Sequence, residues 1–252
     1  MASKKDLLQR LLKGIETGDA DAAAVVNEER YIQHNPQTRE GGPGLAELFA
    51  RLSKTSPKVT FCRVFEDGDF AFAHNEYDFS GLRAAFEVFR FEDDLAVEHW
   101  DNIQRLEGPN PSGRGMMDGA TEILDHDKTE QNRALVRAFV TEVLIGRRFE
   151  LLPKYVDDRL IQHDPTLVDG RQAWHDALGA TGENGVRISY DRLHRVLAEG
   201  NFVLSICEGA RDGVHSSFYD LLRVSDNRIA EHWNTVEAIP PRSEWKNDNG
   251  KF

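Results

Sequence analysis

Glu98-His99-Trp100-Asp101-Asn102-Ile103-Gln104 returns later in the chain as Glu231-His232-Trp233-Asn234-Thr235-Val236-Glu237. Upstream of each copy stands another matched pair, Tyr31-Ile32-Gln33-His34-Asn35-Pro36 and Leu160-Ile161-Gln162-His163-Asp164-Pro165. His34 and His163 are 129 positions apart, and Trp100 and Trp233 are 133 apart. So small a drift over so long a period fits short insertions between two copies of one unit. The period is too long for a solenoid repeat and suits whole domains. The sequence therefore reads as a tandem duplication in which each half builds a pocket around these two motifs.

Working outward, Leu7, Leu8, Leu11, Leu12 and Ile15 recur at helical spacing, with Ser3 placed to cap and Asp6 at capping-box distance. Ala20 to Glu29 reads as a second helix. Leu135, Val136, Phe139, Val140, Val143 and Leu144 open the second half in the same way, with a short helix near Leu151 to Val156. Asn35-Pro36 and Asp164-Pro165 turn the chain, and a third helix follows each, Leu45 to Leu52 and Gln172 to Leu178. The period then switches to two. Lys58–Glu66, Phe70–Phe79, Ala84–Phe91 and Ala96–Arg105 read as strands, repeated as Arg187–Leu197, Phe202–Ala210, Ser216–Val224 and Arg228–Ala238. Helices followed by a run of strands describe an α+β domain with helices on one face of a curved antiparallel sheet. The expected domains are 1–107 and 128–241, separated by a Gly- and Pro-bearing linker, 108–127, and followed by a polar tail, 242–252, that wraps loosely or lies on the surface.

The chain has 252 residues, 40% hydrophobic and 29% charged, enough for two real cores. Its net charge of −12 repels phosphate backbones, so nucleic acid and anionic membranes are poor partners. With no apolar leader, no membrane-length run and two strand-borne cysteines, Cys62 and Cys207, the expectation is a cytoplasmic protein with reduced thiols.

The two motifs, placed between helices and sheet, resemble the SnoaL-like (polyketide cyclase-like, predicted aldol-condensation) group of the nuclear transport factor 2-like superfamily. The resemblance covers nearly the whole chain, once per half. It implies two cone domains, each a bent sheet closed by helices around an apolar pocket, arranged as an internal pseudo-dimer with room for further homo-oligomers. It also implies cofactor-independent acid/base catalysis on a small, largely apolar carbonyl compound, of aldol-cyclase or isomerase type. Epoxide hydrolysis, dehydration and plain ligand binding or scaffolding remain open, because function follows the site and not the fold.

Carbanion chemistry next to a carbonyl needs a base and donors for the enolate oxygen. In this family an aspartate in the pocket is the acid/base, and Asp101 fits it, with its pKa expected to rise among apolar walls. His34 and His74 are its expected hydrogen-bonding partners and Tyr31 a further donor. Alternation puts His99 on the same side as Asp101. The second half keeps His163 and His232 but carries Ile206 where His74 stands and Asn234 where Asp101 stands. Asparagine accepts no proton as a base, so catalysis is expected mainly in the N-terminal pocket, and the C-terminal copy is expected to be structural or to bind substrate only, through Asn234, His163 and His232. The bland readings are that His34 braces its turn, His74 is a core histidine, Asp101 is a strand-end acceptor, and Trp100 and Trp233 are packing anchors. No ligand spacing supports a metal site.

Overall fold

The computed structural model describes residues 2–183 and 185–252. The chain forms two compact units. One runs to Leu106 and includes Pro240–Phe252; the other is Glu107–Ile239.

In the first unit, α1 (Lys4–Thr17) starts on the Ser3/Asp6 capping box and ends at Gly18, whose φ of 69° only glycine adopts readily. Its buried stripe, Leu8, Leu11, Leu12 and Ile15, packs with Ala71, Ala73, Tyr77 and Phe89 of the sheet. Each such side chain contributes about 1.5–3 kcal/mol when fully removed from water. A 3-10 turn at Ala20–Val25 stands where a longer helix was expected, and α2 covers Gly41–Leu52.

The sheet comprises β1 (Ile32–Gln33), β2 (Lys58–Asp67), β3 (Phe70–Asp78), β4 (Leu82–Glu92) and β5 (Leu95–Arg105), in the order β1-β5-β4-β3-β2. The unforeseen member is β1. Its two residues, inside the first motif, pair in parallel with the second motif, Ile32 opposite Glu98 and Gln33 opposite His99.

The second unit has α3 (Thr129–Phe139), continued by a π-helical turn at Val140–Ile145, then α4 (Leu152–Tyr155) and α5 (Arg171–Gly179). Its strands are β6 (Val156–Gln162), a two-residue ladder of β7 (Thr181–Gly182) and β8 (Gly185–Val186), then β9 (Ile188–Glu199), β10 (Phe202–Arg211), β11 (Val214–Ser225) and β12 (Arg228–Ala238). The large sheet runs β6-β12-β11-β10-β9. Ile161 faces Glu231 and Gln162 faces His232, the pairing of the first unit repeated. Both sheets also shift register at one matched place, between Arg90 and Phe91 and between Arg223 and Val224. Such a bulge bends the strand.

The segments expected to be free linker and loose tail are packed instead. Asn110 and Met116 are buried in the second unit, and Asn247 and Lys251 in the first. Side-chain amides hold both. Asn110 donates to the Gln162 carbonyl, and Asn247 to the carbonyls of Asn35 and Thr38. Among the described residues no helix is long and apolar enough to cross a membrane.

Candidate functional site

Neighbouring residues on a strand face opposite ways. On β5, Glu98 and Trp100 therefore take one side and His99 and Asp101 the side that meets the helices. There His99 lies with Nε2 2.6 Å from Glu87 Oε2 and Nδ1 2.9 Å from Gln33 Oε1. The same Gln33 oxygen accepts the Asn35 backbone N–H at 2.8 Å, so it is an acceptor and His99 Nδ1 donates to it. Tyr77 donates its hydroxyl to Glu87 Oε1 at 2.8 Å. Burial pushes the Glu87 carboxyl above its ordinary range, against the pull of His99. Burial also raises the phenols of Tyr31 and Tyr77.

Asp101 is the next residue on this face. Its Oδ2 accepts from Asn35 Nδ2 at 2.5 Å and its Oδ1 from the Lys251 ammonium at 3.2 Å. Burial alone would raise its pKa. The charges of Lys251 and His99 and the Asn35 bond outweigh that, and the carboxyl titrates below its ordinary value. This corrects the expectation of a raised pKa, because a buried cation from the tail stands beside the carboxylate.

The other expected partners are elsewhere. His34 bonds through Nε2 to Glu98 at 3.0 Å and stacks on Trp100 at 4.7 Å, on the opposite side of β5. Its Nδ1 meets the Gly250 carbonyl at 3.0 Å. Both nitrogens face acceptors, while burial holds its pKa below the usual histidine value. His74 sits opposite Phe86, on the Trp100 side, bonded at Nδ1 to Arg63 and stacked on Phe86. Neither histidine shares the face of Asp101. Tyr31 does, its ring stacked 6.5 Å from His99.

The second unit repeats the core of this construction, a histidine held between a glutamine and an acid. His232 bonds to Gln162 Oε1 at 2.8 Å and to Asp220 Oδ1 at 2.9 Å, and Tyr190 donates to Asp220 at 3.3 Å. His163 repeats His34, bonding Glu231 at 2.9 Å, stacking on Trp233 at 4.8 Å and meeting the Gly115 carbonyl at 2.8 Å. The amide and the carboxylate, however, have changed places. Asn234 Nδ2 donates to Asp164 Oδ2 at 2.9 Å, so the acid comes from the turn and the amide from the strand. Each turn residue holds its pose in the same way: Asn35 Oδ1 accepts from Gln37 N and Asp164 Oδ1 from Thr166 N, both at 2.8 Å.

A cavity of about 360 Å³ opens over this second centre. Asp164, His232 and Asn234 line it together with Trp174, Leu178 and Phe218. Trp174, carried on α5, stacks on His232 at 4.4 Å. Arg187 and Asp212, an exposed ion pair at 2.9 Å, also border it, as does Arg211. A polar floor under apolar walls is the ordinary form of a small-molecule site.

Side chains able to hold a cation do cluster in the first unit. Donor atoms of Glu87, His99 and Asp101 lie within 4.8 Å of one another. The Lys251 ammonium already bonds the Asp101 member of that group.

No protein-family model matches the chain, and no curated protein matches it. Solved structures similar to it include three that each span about half of it. A Kribbella flavida protein carrying the provisional name ketosteroid isomerase is 20% identical, covers 45% of this chain and 84% of its own, with a TM-score of 0.39. An LEH-like epoxide hydrolase of M. tuberculosis is 19% identical over 44% of this chain and 85% of its own, with a TM-score of 0.36. An NTF-2 like protein of unknown function from Burkholderia xenovorans is 14% identical over 49% of this chain and 99% of its own, with a TM-score of 0.39.

Glu87, Gln33, Asn35 and Lys251 of the first centre, and Asp164, Asp220, Gln162 and Tyr190 of the second, were not among the expected site residues. Gln33 and Gln162 stand inside the quoted motifs, and Asn35 and Asp164 one position beyond His34 and His163. Lys251 carries no local signal.

Proposed function

We propose that the second unit holds the working site, a cofactor-independent acid/base centre for a small, largely apolar carbonyl compound, of aldol-cyclase or isomerase type. The observation that carries this is the contrast between the two carboxylates. Asp101 is neutralised by a buried lysine, whereas Asp164 lines a cavity roofed by apolar side chains. Asp164 accepts from the Thr166 N–H, the Thr166 hydroxyl and Asn234. Of the roughly four lone-pair directions of a carboxylate, one is left to take a proton from carbon. The second N–H of Asn234 is the donor for the enolate oxygen, since only one of its two amide protons is used on Asp164. Gln162 and Asp220 hold His232 behind them. The centre built from Asp101, His99 and Tyr31 then serves the fold of the first unit.

Ring opening of nitrobenzisoxazole needs only a base in an apolar surround and tests this without knowledge of the natural substrate. Saturable turnover above that of equimolar acetate is expected. Asp164→Asn should lower it about 100-fold or more. The paired change Asp101→Asn with Lys251→Met should leave it within about twofold, since it touches only the other unit. Wild-type turnover no faster than acetate, or a full rate in Asp164→Asn, defeats the proposal.

A further inference from the structure

The tail in the first unit and the linker in the second each lie as a strap over the centre of their own unit, and one difference between these straps defines a ligand. His34 meets the carbonyl of Gly250 and His163 that of Gly115. The residues that follow, Lys251 and Met116, are therefore counterparts, buried to 3% and 2% exposure. Lys251 brings an ammonium to the first carboxylate, and Met116 brings no charge to the second. The floor of the second cavity is consequently rich in acceptors. Asp164 is ionisable, and the Oδ1 of Asn234, itself 8% exposed, has no hydrogen-bond partner among the described residues. Both acceptors face the cavity, so whatever fills it is favoured if it brings a donor to this floor.

We infer that the cavity takes a small apolar primary ammonium compound, its nitrogen bonded to Asp164 and Asn234 Oδ1 as Lys251 Nζ is bonded to Asp101. The hydrocarbon body lies against Trp174, Leu178 and Phe218. A carboxylate ligand would meet Asp164 with like charge; Arg211, which also lines the cavity, is the group that could reverse that orientation. The inference rests on reading this cavity as the ligand site; an ammonium seated on the last free lone pair of Asp164 competes with proton transfer there.

Calorimetric titration of the full chain at neutral pH with hexylamine, hexanol and hexanoate tests it. Hexylammonium is expected to bind at least about tenfold more tightly than hexanol, and hexanoate not at all. Asp164→Asn should weaken the amine at least about tenfold and hexanol little. Met116→Lys, which brings the strap ammonium of the first unit to the second carboxylate, should abolish amine binding. Equal binding of hexanol or hexanoate, no binding of any probe, or amine binding indifferent to both substitutions overturns the inference. Nitrobenzisoxazole turnover that persists where hexylamine neither binds nor competes would defeat this inference and leave the acid/base proposal standing.

Discussion

Lys251 Nζ stands 3.2 Å from Asp101 Oδ1, with both side chains almost wholly buried and 150 positions apart in the chain. Removing one member of such a pair leaves an uncompensated buried charge, which costs about 3–5 kcal/mol, whereas replacing both is often nearly neutral. Asp101→Asn and Lys251→Met should each therefore destabilise the first unit by about 3–5 kcal/mol. The double variant should return to within about 1–2 kcal/mol of wild type. Urea unfolding of the four proteins gives the coupling directly. Additive single losses would show that the pair is not acting as a pair.

The same pair sets a pH dependence. The Asp101 carboxyl titrates below its ordinary value in the folded chain. A depressed carboxyl contributes stability that is fully present above the unfolded pKa, about 3.9, and lost as pH falls through the folded value. The stability gap between wild type and Asp101→Asn should thus stay constant from about pH 8 to 5 and close only below about pH 4. Midpoints of denaturation measured across that range check it. A gap that closes near pH 6 would instead assign the effect to a histidine.

Much of this was legible before the structure. Motif spacing marks the two units, and alternation places His99 beside Asp101. The Asp101/Asn234 pair taken alone points to the first unit as the acidic one. Read jointly, the columns Asn35/Asp164 and Asp101/Asn234 show one amide and one acid in each half, exchanged. Two features had no such signal. The phenol on the inner acid comes from Tyr77 on β3 in one unit and from Tyr190 on β9 in the other, positions that no alignment of the halves would match. Lys251 reaches Asp101 only through the path of the tail, which composition reads as surface.

Gly119 tests how tightly the linker strap is seated. Its φ is +93°, and a Cβ there would lie 2.2 Å from Glu231 Oε1 and 2.7 Å from His163 Nε2. Both neighbours are held, Glu231 by Arg223 at 2.7 Å and by His163 at 2.9 Å. Gly119→Ala should therefore lower stability by roughly 2 kcal/mol or more, combining backbone strain with displacement of the His163–Glu231 pair. Thermal denaturation will show it. An unchanged midpoint would mean the strap lifts away at little cost.

Gln162 separates stability from chemistry. Its Oε1 accepts from His163 N and Asp164 N, each at 3.0 Å, and from His232 Nδ1 at 2.8 Å. In Gln162→Leu, His163 N keeps its bond to the His232 carbonyl, but Asp164 N and His232 Nδ1 lose the acceptor, at about 1–3 kcal/mol each. Gln33→Leu removes the matching acceptor of Asn35 N and His99 Nδ1 in the first unit and should cost a similar amount. The two differ in what else they disturb. Only Gln162 fixes the turn that carries Asp164, so Gln162→Leu should also depress nitrobenzisoxazole turnover, by about tenfold or more, while Gln33→Leu should not. If both variants lose stability and keep full turnover, the Thr166 and Asn234 bonds suffice to position Asp164 and Gln162 has no part in the chemistry.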